Sequence, residues 1–358
     1  MRWCSVFAIG GCVLVVMPVG WFTLVPSFGF GSLVTPPDHA SVSEPSVAQQ
    51  TEVLFLGDVL LARDVERRIR RVGLDHPYQG FPIASTSFAV INFESSVPPA
   101  HQPTPDGHVR FSTARDLLPP ARAAGITHAN LANNHTLDHG AVGLANTRTV
   151  LARTDIIPFG DPQQLGASSI AYLDIRGGTV AIIGIHAVWS VPSIEVLART
   201  FTHASARSDV QVAFVHWGPE YRSVASPAQR TLARQLVRVG ADLVIGHHPH
   251  VVQDVDVVEG VPVFYSLGNF IFDQYFSPSV QTGLALRLML EPTPKIEVVP
   301  VSSAETLIQP RPLEGEARRQ FLSALAKRSH PALTSALALG ELSFPLATSS
   351  EIVMIGTI

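Results

Sequence analysis

Three imidazoles crowd into one short stretch of the sequence, Ile245-Gly246-His247-His248-Pro249-His250-Val251-Val252-Gln253. The apolar run before it, residues 241–245, predicts a strand, and Gly246 permits a turn at its end. Because alternate residues of an extended segment point the same way, we expect His248 and His250 to converge and His247 to point away. Imidazole is the commonest metal ligand among side chains. Taken alone, however, the stretch fits a polar histidine loop equally well.

The same pattern recurs along the chain, where short apolar runs end in polar residues. These ends are Gly57-Asp58, Asn92-Phe93-Glu94, Asn133-Asn134-His135, His216-Trp217-Gly218 and Gly268-Asn269-Phe270. Helix-like stretches at 114–124, 141–153 and 227–239 lie between the runs. Strands that alternate with helices predict an α/β domain, whose ligands bind outside the carboxyl ends of the strands. We therefore expect the polar ends to meet in one site.

The polar ends supply carboxylate, amide and imidazole donors, a set that suits Mn, Fe or Zn. The predicted metal ligands are Asp58, Glu94, Asn134, His216, His248 and His250. A carboxylate shared between two such ions would place them about 3.5–4 Å apart, the two-metal geometry of phosphatases and nucleases. His135 is then the candidate general acid or substrate-binding imidazole, and Asp138 the carboxylate that orients it. Arg63 is a candidate for binding an anion.

Six motifs occur in order between Val53 and Ser302, and together they resemble the CapA family. They are Gly57-Asp58 with Arg63, Asn92-Phe93-Glu94, Ala132-Asn133-Asn134-His135 with Asp138 and Gly140, His216-Trp217-Gly218 with Glu220-Tyr221, Gly246 with His248-Pro249-His250 and Gln253, and Ser266-Leu267-Gly268-Asn269-Phe270 with Phe272-Asp273-Gln274. CapA proteins are bacterial capsule, or poly-γ-glutamate, synthesis proteins of the calcineurin-like metallophosphatase superfamily. The resemblance implies a four-layer αββα sandwich, a role in synthesis or export of an anionic polyglutamate polymer, and an anchored extracytoplasmic domain.

Two positions depart from the superfamily pattern. Its first motif is Asp-x-His, whereas this chain has Asp58-Val59-Leu60, and its second is Gly-Asp, whereas here Glu94 would supply the bridging carboxylate. The sequence therefore supports a site built on Asn134, His216 and His248 better than one built on Asp58 and His250. A single-metal site stays open beside the two-metal prediction.

The N-terminus predicts the compartment, because no charged side chain occurs from Trp3 to Pro37 and Arg2 precedes that run. The run exceeds the roughly 20 residues that cross a bilayer, and the arginine favours a cytoplasmic start. We predict a transmembrane anchor at 1–34, with a cleaved signal peptide as the alternative. After the anchor we predict a proline-containing linker at 35–50 and a domain at 51–302. A C-terminal extension at 303–358 is expected to pack on that domain. The predicted location is the cell membrane, single-pass, with the domain on the extracytoplasmic side.

The charge and the cysteine content limit the classes of partner and metal ligand that the domain can have. The net charge of -4 provides no basic stripe for nucleic acid. Cys4 and Cys12, the two cysteines of the chain, both lie in the apolar N-terminal segment, which leaves the domain no thiolate ligand. Two hypotheses stand: metal-dependent hydrolysis or transfer on a phosphoester or amide-type bond of a cell-surface polymer, or a non-catalytic subunit. The latter would bind polyglutamate at the membrane beside other polymer-synthase subunits.

Overall fold

The computed structural model of the protein describes residues 50–344, so the predicted anchor, the linker up to residue 49 and residues 345–358 lie outside it. The strands in this range are β1 Glu52–Val59, β2 Ser87–Phe93, β3 Ile126–Asn130, β4 Ile157–Phe159, β5 Ile170–Ile175, β6 Gly178–Ala187, β7 Val210–Trp217, β8 Leu243–His247, β9 Val255–Val258, β10 Val261–Phe264, β11 Asn269–Ile271, β12 Thr282–Met289, β13 Lys295–Ser302, β14 Arg311–Pro312 and β15 Glu341–Ser343. The α-helices are α1 Arg63–Val72, α2 Leu118–Ala123, α3 Gly140–Arg153, α4 Ile194–Ser205, α5 Pro227–Arg238, α6 Gly315–Arg328 and α7 Thr334–Leu339. Between residues 50 and 344, no helix has the length and apolar character needed to cross a membrane.

The strands form two sheets. The first has the order β14-β13-β12-β1-β2-β3-β4, with β11 pairing with β1 and β15 with β13. The second has the order β5-β6-β7-β8-β10-β9. Strands β1 to β4 are parallel to one another in the first sheet, as are β6, β7, β8 and β10 in the second, whereas β12, β5 and β9 run antiparallel to the adjacent β1, β6 and β10. Each sheet therefore has a parallel centre whose carboxyl ends can present side chains to a ligand.

Apolar side chains of the two sheets pack against each other. Phe55 of β1 and Phe214 of β7 belong to this shared core, with ring centroids 6.1 Å apart. The outer face of the first sheet is covered by α1, α2 and α3, and that of the second by α4 and α5. The predicted α/β class is confirmed, and the layers of this α/β sandwich follow the order helix, sheet, sheet, helix.

The helices begin and end close to where the sequence predicts them. The stretch 114–124 forms a 3-10 turn followed by α2, while 141–153 and 227–239 correspond to α3 and α5. Helix α5 starts with proline at its first position, and Ser226 and Gln229 cap it reciprocally through side chain and backbone. A defined helix start also defines where the preceding loop ends, at the carboxyl ends of the strands.

Residues 303–344 continue the same fold. Strands β14 and β15 both pair with β13, at the edge of the first sheet. Helix α6 contacts β13 of the first sheet and β9 of the second. Its Leu322 and Leu325 are fully buried in the core between the sheets. Helix α6 therefore closes one edge of the sandwich.

Candidate metal centre

All six predicted metal ligands lie at carboxyl ends of parallel strands. From the first sheet, Asp58 is near the end of β1, Glu94 directly follows β2, and Asn134 lies in the loop after β3. The second sheet contributes its donors from β7 and from the loop after β8, which are His216, His248 and His250. The two sheets thus bring the whole predicted set to one place.

Glu94 occupies the middle of this set. Its Oε1 lies 3.6 Å from Nε2 of His250, 3.8 Å from Nε2 of His135 and 4.0 Å from Nε2 of His216. The side chain is fully buried, and neither carboxylate oxygen has a hydrogen-bond partner among residues 50–344. Burial raises the pKa of Glu94 well above its usual range. Because an isolated buried carboxylate is costly, this position fits a bound cation.

The donors around Glu94 fall into two groups that share it. Glu94, His216 and His248 each offer an atom within 4.8 Å of the others, and so do Asp58, Glu94 and His250. Asn134 Oδ1 lies 2.7 Å from Nε2 of His216 and so joins the first group. A carboxylate common to two nitrogen and oxygen donor groups is the arrangement that holds a pair of divalent ions. The donors present therefore fit a two-metal centre.

Asp58 is held by hydrogen bonds on both carboxylate oxygens. Oδ1 accepts from the Asn92 amide at 2.8 Å and lies 3.2 Å from Nδ1 of His247, while Oδ2 accepts from the His248 N–H at 3.2 Å. Nδ1 of His250 lies 3.3 Å from Oδ2. Burial opposes the charge of this group, but the hydrogen bonds from His247 and His250 outweigh it and keep the pKa of Asp58 well below its usual range.

His247 does not point away from the site, so that prediction was wrong. Residue 247 still belongs to β8, and Ile245, two positions earlier, packs in the core between the sheets. Side chains two apart in a strand share a face, so His247 also points between the sheets, where its ring lies 4.2 Å from that of Phe214. His247 therefore supports Asp58 from inside the core.

His248 and His250 converge by a different route from the extended segment that we expected. Both have left-handed backbone conformations, with φ of 93° and 56°. Arg63 and Tyr221, also beside the site, share this feature with φ of 52° and 60°. Non-glycine residues held in this region cluster at functional sites, because the surrounding structure must overcome the local strain. The strained turn after β8, and not strand alternation, aims the two imidazoles at the centre.

His135 and Asp138 form a pair next to Glu94. Nδ1 of His135 donates to Oδ2 of Asp138 at 2.9 Å, and the same oxygen accepts from the Phe111 N–H at 2.6 Å. The pair forms in the loop before α3, which begins at Gly140. With Nδ1 held by Asp138, the free Nε2 of His135 faces Glu94. This is the geometry expected of an oriented acid–base imidazole.

Arg63 is fixed by Asp273, with Nε donating to Oδ2 at 3.0 Å and Nη2 to Oδ1. Its guanidinium lies over the Phe111 ring, 4.5 Å from the centroid, and that ring stacks on His135 with centroids 4.0 Å apart. Phe111 is thus sandwiched between the guanidinium and the imidazole. In this structure Arg63 braces His135 through Phe111, and the anion-binding role stays a prediction.

The sequence reasoning gave no site role to several residues that support the ligands. The Asn92 amide lies 3.1 Å from Nδ1 of His216 as well as donating to Asp58, and Asn269 Oδ1 lies 2.9 Å from Nδ1 of His250. A buried asparagine within strand β2 was an available signal for the first. Asn269 and Asp273 gave no such signal, because their partners His250 and Arg63 lie elsewhere in the sequence.

The residues of this site lie in the part of the chain that matches a known protein family. The sequence profile of the family described as "Bacterial capsule synthesis protein PGA_cap" matches residues 52–274. The chain belongs to this family, that of CapA. The matched range contains every predicted site residue.

Two CapA proteins and a mycobacterial protein are similar to this chain in sequence. The chain is 29% identical over 295 residues to the PGA biosynthesis protein CapA of Bacillus subtilis, covering 77% of this chain and 78% of the relative. It is 29% identical over 281 residues to the capsule biosynthesis protein CapA of Bacillus anthracis, covering 72% and 68%. A Mycobacterium tuberculosis protein named "Probable polyglutamine synthesis accessory protein" is 25% identical over 221 residues, covering 53% of this chain and 56% of its own.

Proposed function

We propose that this CapA-family protein acts in capsule or poly-γ-glutamate synthesis or export through a two-metal, phosphoesterase-like centre. The observation that carries the proposal is Glu94, fully buried, without a hydrogen-bond partner in the described part of the chain and common to two donor groups. The substrate would be a molecule associated with an anionic surface polymer, and the bond cleaved or transferred would be a phosphoester or amide-type bond. The expected ions are Mn, Zn or Fe, since the donors are nitrogen and oxygen.

Each donor has a place in this proposal. Glu94, Asn134, His216 and His248 would hold one ion, and Asp58, Glu94 and His250 the other. When bound, such ions would polarise an oxygen of the attacked phosphoryl or carbonyl group and lower the pKa of a coordinated water. His135, oriented by Asp138 and packed on Phe111, would carry the proton that reaches the leaving group through Nε2.

The same proposal includes the location. The uncharged run from Trp3 to Pro37 after Arg2 supports an N-terminal anchor, and the linker to residue 50 supports a domain held away from the bilayer on the extracytoplasmic side. Such a placement suits a protein that handles a polymer destined for the cell surface.

The test is turnover of p-nitrophenyl phosphate by the purified full chain with Mn²⁺ or Zn²⁺. We expect metal-dependent turnover, and we expect His135→Ala to lower it about 10²–10⁴-fold while metal content is unchanged. His203→Ala, which removes an exposed imidazole on α4, is the matched control and should keep full turnover. Metal-loaded protein without turnover would contradict the catalytic part of the proposal.

A non-catalytic role is the second candidate. The printed name of the Mycobacterium tuberculosis relative describes an accessory protein, and Asp58-Val59-Leu60 lacks the histidine that the resemblance led us to expect. In this case the protein would bind or guide polyglutamate beside the membrane subunits of a synthase. Metal content without turnover, together with loss of polymer from cells that lack the protein, would favour this candidate.

A further inference from the structure

The two donor groups around Glu94 are unequal. The first has four protein donors, Glu94, Asn134, His216 and His248, whereas the second has three, Asp58, Glu94 and His250. Moreover, the oxygens of Asp58 already accept from the Asn92 amide and the His248 N–H and contact two imidazoles. Since Zn²⁺ takes at least four ligands and Mn²⁺ commonly more, the second group leaves at least one coordination position for a further donor.

Glu220 lies beside His250 of the second group and His248 of the first. Its carboxylate offers an oxygen within 4.8 Å of ligand atoms of both His248 and His250. The residue is solvent-exposed, in the loop that follows β7, so it approaches the centre from the open side. Below it, His248 is only 6% exposed, yet its Nδ1 has no hydrogen-bond partner in the range that the structure covers. A buried imidazole nitrogen without a partner next to a carboxylate is typical of a cation site.

The loop that carries Glu220 is tied to the turn that carries the imidazoles. The Tyr221 N–H donates to the carbonyl of Pro249 at 2.8 Å, and the Tyr221 hydroxyl accepts from the Gln274 amide at 2.9 Å. Gly218 has φ of 83°, and a Cβ there would lie 2.4 Å from Cδ of Gln229, so only glycine fits. The position of Glu220 relative to His248 and His250 is therefore fixed by the backbone.

We propose that Glu220 is an exchangeable ligand that completes the second group, binding the ion held by Asp58, Glu94 and His250 from the solvent side. The inference rests on the proposed two-metal centre and deepens it. Because the carboxylate is exposed and ends a long side chain, it can leave the ion when an anionic substrate arrives. Glu220 thus holds the second ion in the resting protein and yields its place to the substrate.

The experiment measures Mn²⁺ binding by the full chain, with stoichiometry from elemental analysis and affinity from titration calorimetry. For the wild type we expect two ions per chain. In Glu220→Gln, which keeps the size of the side chain, we expect the first ion to bind unchanged and the second at least tenfold more weakly, since even residues outside the ligand set change metal affinity about 10–100-fold. Glu259→Gln, at an exposed carboxylate in the β9–β10 turn, should match the wild type.

The outcomes separate the two proposals. Two ions bound with wild-type affinities by Glu220→Gln would overturn the role of Glu220 and leave the centre itself intact. A wild-type chain that binds no ion would overturn both. Circular dichroism and the unfolding temperature of each variant in chelator show whether it is folded, and we expect both to equal those of the wild type because Glu220 is exposed.

Discussion

At the scale of single residues, burying the carboxylate of Glu94 has a large free-energy cost. A carboxylate that is fully buried and lacks a partner in the described range destabilises the folded state. The ring nitrogens of His135, His216 and His250 lie 3.6 to 4.0 Å from it, and His216 and His250 are proposed metal ligands. The cost is offset if a cation occupies the space between them, so the protein should be most stable when metal is bound.

We expect Glu94→Gln to change the free energy of unfolding in opposite directions with and without metal. The pKa of Glu94 is raised in the folded state, so its contribution to stability is full below about pH 4.5 and is lost as the pH rises through the raised value. In chelator at pH 8, Glu94→Gln should therefore increase the free energy of unfolding by about 1–3 kcal/mol. At pH 5 the gain should shrink. With excess Mn²⁺ the order should reverse, because the variant loses the bridging ligand.

Urea unfolding of both chains, at the two pH values and with or without Mn²⁺, provides the measurement. Glu305→Gln, at an exposed carboxylate in the loop between β13 and β14, is the control and should follow the wild type in all conditions. A Glu94→Gln chain that is less stable than the wild type in chelator at pH 8 would show that Glu94 is satisfied without a cation.

The sequence predicted which polar side chains meet where they stand at the ends of apolar strands, as for Asp58 and His216. It could not predict contacts between distant loops. The pairing of Arg63 with Asp273 spans 210 positions, and no local pattern encodes it. The orientation of His247 depends on which face of β8 meets the other sheet, and the turn after β8 adopts left-handed conformations that residue type does not reveal.

At the scale of elements, the long periodic segments were predictable and the short edge strands were not. The helix-like stretches 141–153 and 227–239 are α3 and α5 in the structure. The strands β14 and β15 have two and three residues, too few to leave a periodic signal. Helix α6 contacts both β13 and β9, and these partner surfaces form only when the sheets have folded.

Helix α6 allows a test of whether the C-terminal extension belongs to the cooperative unit. Leu322 is fully buried between the sheets, so Leu322→Ala should lower the free energy of unfolding by about 2–5 kcal/mol. Leu339, at the end of α7, is 73% exposed, and Leu339→Ala should change it by less than about 0.5 kcal/mol. Denaturant unfolding measures both. Equal, small effects would mean that α6 packs only loosely on the sandwich.

At the scale of the whole molecule, the centre exists only because two sheets meet. Asp58, Glu94 and Asn134 come from the first sheet and the imidazoles His216, His248 and His250 from the second. An α/β sandwich of this kind supports many chemistries, so the fold alone does not assign the activity. Membership of the CapA family relates the chain to capsule synthesis, and the shared position of Glu94 adds the chemical hypothesis.

The most direct test of the central claim is an anomalous difference map from Mn²⁺-soaked crystals of the protein, measured at the manganese absorption edge. The account predicts two peaks about 3.5–4 Å apart, one on each side of the Glu94 carboxylate, with His216 and His248 at the first and Asp58 and His250 at the second. A map with no peak within coordinating distance of Glu94 would contradict it.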